Sequence, residues 1–229
     1  MSINIVSFSS TGGAGHVART LVEGFLKIGL DAHLIVATDG NLYSNPLERP
    51  LLTLSASFDK YLVKSPEWKS LISLSRDRHS SLKEPLVSAD LTVFRWMNGL
   101  LGEKFLTSNP EIENLVWGLD DMNPFTGVCH HSGECRGFQT GCQSCPALRK
   151  PVRGAAKKSL SRKVRFADRF APSFVAPTDW INREFKASLL GKDRESVKIM
   201  NPLDSSFFDE GKREAYKFPQ LRLLIVAAN

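Results

Sequence analysis

The chain begins with an apolar run, a glycine-rich turn and an amphipathic segment, and this order strongly limits the folds open to it. The run covers residues 3–8, the turn contains Gly12-Gly13-Ala14-Gly15, and apolar residues then recur at helical spacing over 17–28. A second apolar run follows at 33–37. This pattern indicates a βαβ unit, in which the two strands are parallel because a helix connects them.

Alternation of strand and helix patterns continues along the chain. Further strands are predicted at residues 91–94, 115–119, 170–176 and 197–200, and further helices at 100–106, 148–167 and 179–189, the last opened by a Thr178 cap. We therefore predict an α/β protein with a Rossmann-like parallel sheet flanked by helices. The 229 residues, of which 42% are hydrophobic, suffice for one such core.

A charged segment at residues 209–217 separates this alternation from a final apolar run at 221–228, after which no helix follows. We predict one domain at 1–208 and a linker at 209–220. Residues 221–229 are then the first strand of a second, truncated domain.

The glycine loop is a candidate anion site, because amides before a helix N-terminus lack partners and the helix dipole favours negative charge. Gly13, Gly15 and Ala18 also fit the dinucleotide fingerprint G-x-G-x-x-G/A, and Asp39 stands near the end of the second strand. An NAD(P)-binding oxidoreductase domain is therefore one alternative. Another is that the glycines only permit a tight turn and close packing.

The charge balance favours an anionic partner, since 30 Lys and Arg face 24 Asp and Glu, a net charge of +6. No apolar run reaches the ~20 residues of a membrane span, and the first residues carry no basic leader, so the sequence predicts a cytoplasmic protein. Eight cations follow one another with no acid between them: Arg149, Lys150, Arg153, Lys157, Lys158, Arg162, Lys163 and Arg165. They form either a solvated helix or a contact with anionic lipid on the inner membrane face.

All four cysteines lie in one loop, at positions 129, 135, 142 and 145. The closing C-x-x-C favours a structural Cys₄ zinc site formed by Cys129, Cys135, Cys142 and Cys145. Reduced thiols, one or two local disulfides, or a ligand supplied by His130 or His131 are alternatives. Because the loop has few apolar residues, we expect a structural role.

A zinc-binding interaction module is another alternative for the whole chain. Such a module would place basic and aromatic residues around the metal, but only Arg136 and Phe138 lie between the cysteines as basic or aromatic residues, so nucleic acid is not expected as a partner.

The stretch from Trp117 to Leu148 reads WGLDDMNPFTGVCHHSGECRGFQTGCQSCPAL. It closely resembles a segment of family 4 glycosyltransferases that commonly reads W-T-L-H-D-M-W-P-F-T-G, followed by cysteines in matching places and C-x-x-C-P. Other stretches agree with the same family. GGAGHVARTL resembles its first glycine loop, FRWMNG its H-W-x-N-G segment, APTDWI the start of its last helix and NPLD the segment before its interdomain linker.

The resemblance implies the amino-terminal, acceptor-side half of a GT-B enzyme, with two Rossmann-like domains around a cleft. Such an enzyme moves a sugar from a nucleotide-sugar donor to a glycan or lipid-linked acceptor hydroxyl, with retention of configuration and without a catalytic metal. For bacteria it implies cell-surface polysaccharide or lipopolysaccharide biosynthesis. Because the other half holds most of the donor, this chain alone is expected to be inactive.

The resemblance also implies site residues. Asp120 is the candidate catalytic residue, and the candidate substrate-binding residues are Gly12, Gly13, Gly15, Trp96, Asn98, Asp121 and Thr126. Among the departures from the family pattern, three concern the candidate site: Asp120 and Arg95 stand where His is common, and Asn123 replaces the usual Trp. An ionised Asp still accepts hydrogen bonds from sugar hydroxyls but donates none.

Overall fold

The structure is a computed structural model that describes residues 1–36, 61–64, 72–73, 86–96 and 109–204. Several of the features predicted from the sequence lie outside these residues, namely the helix at 100–106, the linker, the strand at 221–228, Asp39 and Asn98.

Six parallel strands form one sheet in the described part of the chain. They are β1 (Ser2–Ser7), β2 (Asp31–Val36), β3 (Leu91–Phe94), β4 (Leu115–Gly118), β5 (Ser173–Ala176) and β6 (Ser196–Lys198). Their order in the sheet is β2-β1-β3-β4-β5-β6. The predicted Rossmann-like α/β fold is therefore confirmed.

Helices connect and cover these strands. They are α1 (Gly12–Lys27), α2 (Gly137–Thr140), α3 (Gly154–Phe170) and α4 (Asp179–Ala187), with short 3-10 turns at Asn123–Phe125 and Lys150–Val152. The predicted cap of α4 is confirmed, because the Ile181 amide donates to Thr178 Oγ1 at 3.2 Å. Among the described residues, no helix is long and apolar enough to cross a membrane.

Several element boundaries differ from the sequence prediction by a few residues, and the largest differences lie at the two ends of α3. The helix expected at 148–167 begins at Gly154 and continues to Phe170, where the sequence predicted the start of a strand. Ala171 then takes the left-handed conformation, with φ of 42°, and ends the helix. Pro172 follows it, so the strand starts only at Ser173.

An aromatic core joins the sheet to α3 and α4. Trp117 packs edge-on against Phe166 of α3, with ring centroids 5.4 Å apart, and stacks on Phe174 of the neighbouring strand. Phe185 of α4 contacts Phe174 and also Phe125 from the turn after β4. This packing fixes the segment that follows β4, which carries Asp120, Asp121 and His130 of the site described next.

The cysteine loop has more apolar packing than the sequence suggested. Phe138 is buried in the main core, and Cys129 and Cys145 belong to a second buried cluster with Val63 and Ile72. The loop is therefore held by buried contacts, although it has few apolar residues of its own. The reason is that distant segments of the chain supply the packing partners.

Candidate functional site

A cleft lies at the carboxyl ends of β1, β3 and β4. The chain leaves β1 toward β2 on one side, whereas β3 pairs with β1 on the other, so the strand order reverses between β1 and β3. Open α/β sheets bind ligands at such switch points. The cleft has a volume of about 540 Å³ and is lined by Thr11, Gly12, Gly13, Ala14, Val17, Trp96, Asp120, Asp121, His130 and Asn201.

The glycine loop forms one wall of the cleft at the start of α1. This 16-residue helix has no acidic residue in its first turn, and Thr11 at the cap position makes no side-chain capping bond. Its first amides are therefore available to an anion. Gly15 packs behind this wall, where an added Cβ would lie 2.4 Å from the Ser9 carbonyl oxygen.

Asp120 also lines the cleft, two residues after the end of β4. Its Oδ1 accepts a hydrogen bond from Nη2 of Arg95, which also donates to Asn201 Oδ1 at 2.7 Å. Asp120 Oδ2 is buried and has no partner in the described part of the chain. Burial raises the pKa of Asp120 to about 6, and Arg95 opposes that rise.

Asp121 and His130 form a second pair in the cleft wall. His130 Nδ1 lies 2.6 Å from Asp121 Oδ2, and His130 Nε2 lies 2.8 Å from Ser73 Oγ. Trp96 Nε1 also faces His130 Nδ1, but at 3.4 Å, so Asp121 is the favoured partner. A donor at Nδ1 leaves Nε2 to accept from the serine hydroxyl, and the two contacts fix the ring orientation.

Trp96 is held between Phe8 and His130. Its ring meets Phe8 edge-on at 5.5 Å and lies 5.6 Å from the His130 ring. The Phe8 amide donates to the Trp96 carbonyl oxygen at 2.7 Å, which joins the loops after β1 and β3. The indole is therefore an ordered part of the cleft wall.

The structure brings together most of the residues selected from the sequence. Gly12, Gly13, Trp96, Asp120 and Asp121 all line the cleft, whereas Asn98 lies outside the described residues. Thr126 does not line it: its side chain is buried, and its hydroxyl donates to the Cys129 carbonyl oxygen at 2.7 Å. Sequence reasoning missed His130 and Asn201 as cleft residues. The first had been considered only as a metal ligand, and the second only as part of the NPLD match.

Asn123, one of the departures from the family pattern, is a buried structural residue. Its side-chain amide donates to the Val128 carbonyl oxygen at 3.0 Å, and its Oδ1 accepts from Lys163 Nζ at 3.0 Å. Lys163 is itself only 5% exposed. Its inclusion in a solvent-facing basic run was therefore wrong, because it lies on the core face of α3, while Lys157, Lys158 and Arg162 are exposed.

The four cysteines of the loop form no disulfide bond, and Cys129 and Cys145 are buried. Three sulfurs accept hydrogen bonds from backbone amides: Cys135 from Gly137 at 3.4 Å, Cys142 from Gly127, and Cys145 from Ala147 and Leu148. A hydrogen bond between Cys129 and Cys145 raises the pKa of the first and lowers that of the second. Within the described residues, no three His, Cys, Asp or Glu side chains are close enough to hold a metal ion as they stand. His130 is engaged by Asp121, and His131 stacks on Trp180.

Comparison with known proteins relates the chain to a glycosyltransferase. It is 33% identical over 111 residues to the Escherichia coli (strain K12) protein described as "Putative colanic acid biosynthesis glycosyl transferase WcaC". The matched stretch covers 44% of this chain and 26% of that relative, so the chain spans about a quarter of its length. No model of a known protein family matches the chain, and no solved structure matches it significantly.

Proposed function

We propose that this chain is the acceptor-side part of a retaining glycosyltransferase that acts in the biosynthesis of a cell-surface polysaccharide or lipopolysaccharide. The observation that carries the proposal is the cleft at the switch point, which is lined both by the start of α1 and by Asp120 and the Asp121–His130 pair. Similarity to a colanic acid biosynthesis glycosyltransferase supports the same class of reaction.

The glycine loop supplies what a nucleotide-sugar donor needs on this side of the cleft. The diphosphate of the donor carries negative charge, and this charge increases as the bond to the sugar breaks. The first-turn amides of α1 and the positive end of its dipole stabilise that charge, and no carboxylate in the turn opposes them.

In this proposal, Asp120, Trp96 and His130 contact the transferred sugar and the acceptor. The Asp120 carboxylate accepts hydroxyl hydrogen bonds and offsets positive charge that develops at the anomeric carbon. Trp96 presents an indole in the same wall, a surface on which the apolar face of a sugar packs well. His130, oriented by Asp121, completes the wall as a polar contact for the acceptor.

The rest of the donor site belongs, in this proposal, to a second Rossmann-like domain of the GT-B kind, reached through a linker at 209–220. No catalytic metal takes part. This chain alone therefore transfers no sugar. Transfer requires the whole polypeptide, by which we mean this chain together with that second domain.

The direct test uses that whole polypeptide with a panel of nucleotide sugars and lipid-linked glycan acceptors. Release of nucleoside diphosphate that depends on both donor and acceptor is expected, with the anomeric configuration of the donor retained in the product. Nicotinamide cofactor binding by the glycine loop, without any sugar transfer, would instead identify an oxidoreductase domain.

A structural zinc ion at the four cysteines remains a separate proposal. The backbone amides that donate to three sulfurs favour thiolates, but the side chains would have to shift before three or four of them could share an ion. Metal analysis of protein purified without chelator, together with a thiol count, tests this. About one zinc per chain is expected; four freely titrating thiols and no zinc would exclude it.

A further inference from the structure

Arg95 connects three parts of the fold beside the cleft, where it contacts the lining residues Asp120 and Asn201. Its amide donates to the Val6 carbonyl oxygen at 2.9 Å, which fixes it beside β1. Its side chain is only 5% exposed. Through the single nitrogen Nη2 it contacts Asp120, after β4, and Asn201, after β6. A buried guanidinium therefore joins the carboxyl ends of the sheet to the segment that leaves it.

Gly118 provides the room for this guanidinium. A Cβ atom at position 118 would lie 2.6 Å from Arg95 Nη1 and 3.0 Å from Arg95 Cζ. The arginine head thus occupies the space that a side chain at 118 would take.

The charges of this group depend on each other. Removing the partner of a buried ion leaves an uncompensated charge, which is strongly destabilising. Among the described residues, Arg95 and Asp121 are the charged groups that influence Asp120, with Arg95 favouring its ionised form and Asp121 opposing it. Arg95 Nε and Asp120 Oδ2 are both buried without a partner in that part of the chain.

We propose that Arg95, Gly118 and Asp120 act as one unit, in which Arg95 is the positioning residue that holds the Asp120 carboxylate at the cleft wall to accept a hydrogen bond from a sugar hydroxyl. Asn201 ties this unit to the segment after β6. The unit itself is inferred from contacts, and only the identity of the hydroxyl ligand rests on the proposed function.

The first test is an NMR titration of the Asp120 carboxyl carbon in the 229-residue chain. In Arg95→Met the titration midpoint should move to higher pH, because the burial that disfavours the ion is no longer opposed. Arg95→Lys keeps the charge and should stay closer to the parent. Arg136→Met, which removes an exposed arginine paired with Glu184, should leave the midpoint in place. An unchanged midpoint in Arg95→Met would overturn the proposal.

The second test asks whether the three positions depend on one another. Gly118→Ala should lower the urea midpoint of the parent, because the new methyl group meets the guanidinium. In the background Arg95→Ala with Asp120→Asn, the same substitution should cause little or no loss. An equal loss in both backgrounds would show that Gly118 is needed for another reason, and the unit would be rejected even if Arg95→Met fails to fold.

Sugar transfer by the whole polypeptide separates this inference from the proposed function. If both tests succeed but no donor supports transfer, the unit stands and the proposed function fails. If transfer occurs and Arg95→Met retains the parent rate and the parent pH profile, Arg95 has no positioning role and the inference fails alone.

Discussion

Lys163 Nζ donates to the Asn123 carbonyl oxygen at 2.5 Å and to the Thr126 carbonyl oxygen at 3.1 Å. This buried ammonium joins α3 to the turn after β4. Asp120 and Asp121 come just before that turn in the chain, and His130 comes just after it. Lys163→Gln should therefore lower the free energy of unfolding by about 3 kcal/mol, because buried carbonyls lose a charged donor.

Urea unfolding measures this effect. Lys158→Gln is the matched control, since Lys158 lies on the same helix but is exposed, and it should change stability by no more than about 0.5 kcal/mol. Equal stability losses in the two variants would contradict a structural role for Lys163.

Two glycines of the same loop should respond differently to alanine. Gly15→Ala places a methyl group 2.4 Å from the Ser9 carbonyl oxygen and should cost about 3 kcal/mol of stability. At position 13 an added methyl group meets nothing within 4 Å, so Gly13→Ala should change the free energy of unfolding by less than about 1 kcal/mol. Because Gly13 lines the cleft, its variant should still weaken donor binding by the whole polypeptide.

Thermal unfolding and donor titration distinguish the two effects. A Gly13→Ala protein that binds the donor as tightly as the parent would remove the glycine loop from the site. A stable Gly15→Ala protein would show that the loop does not approach the helix as closely as described.

The stability of the chain should depend on the protonation of Asp120. Its pKa is raised to about 6 in the folded protein, above the value of about 4 for an unfolded chain. Between these values the folded state binds more protons than the unfolded state, so stability falls as the pH rises. The contribution of Asp120 to this fall is about 3 kcal/mol.

Asp120→Asn should abolish that part of the pH dependence, while its amide oxygen still accepts from Arg95. The measurement is the free energy of unfolding of both proteins at about pH 4 and about pH 7. Parallel profiles for parent and variant would mean that Asp120 is not a buried titrating group.

The sequence predicted the sheet well because its strands are short apolar runs that the parallel arrangement buries. Gly12, Trp96 and Asp120 were selected through the resemblance, and they line one cleft because residues that follow parallel strands share one edge of the sheet. The contact between Ser73 and His130 is different, because it joins residues 57 positions apart and the sequence predicted no strand or helix around Ser73. The burial of Lys163 was likewise hidden, since a charged residue in a basic run gives no local sign of facing the core.

The remaining basic surface of α3 is expected to bind anionic membranes. Lys157, Lys158 and Arg162 are exposed, and their replacement by Gln should weaken binding to vesicles that contain anionic lipid. Added salt should have the same effect on the parent, because the attraction is screened within about 10 Å at 0.1 M salt.

Co-sedimentation with vesicles measures this binding. The control variant removes three exposed cations elsewhere, Arg19, Arg183 and Lys192, and keeps the net charge equal to that of the first variant. Equal binding by the two variants would show that only the overall charge matters and that α3 is an ordinary solvated helix.

The central claim is that this cleft transfers a sugar with Asp120 in its wall. The most direct measurement is the transfer rate of the whole polypeptide and of its Asp120→Asn and Asp120→His variants, each at saturating donor and acceptor. We expect Asp120→Asn to lower turnover more than donor affinity, because it keeps the shape and removes the charge. Asp120→His should also have a lower turnover than the parent while Arg95 and Gly118 remain, since the site is built around an acid. Transfer at the parent rate by both variants would contradict the account.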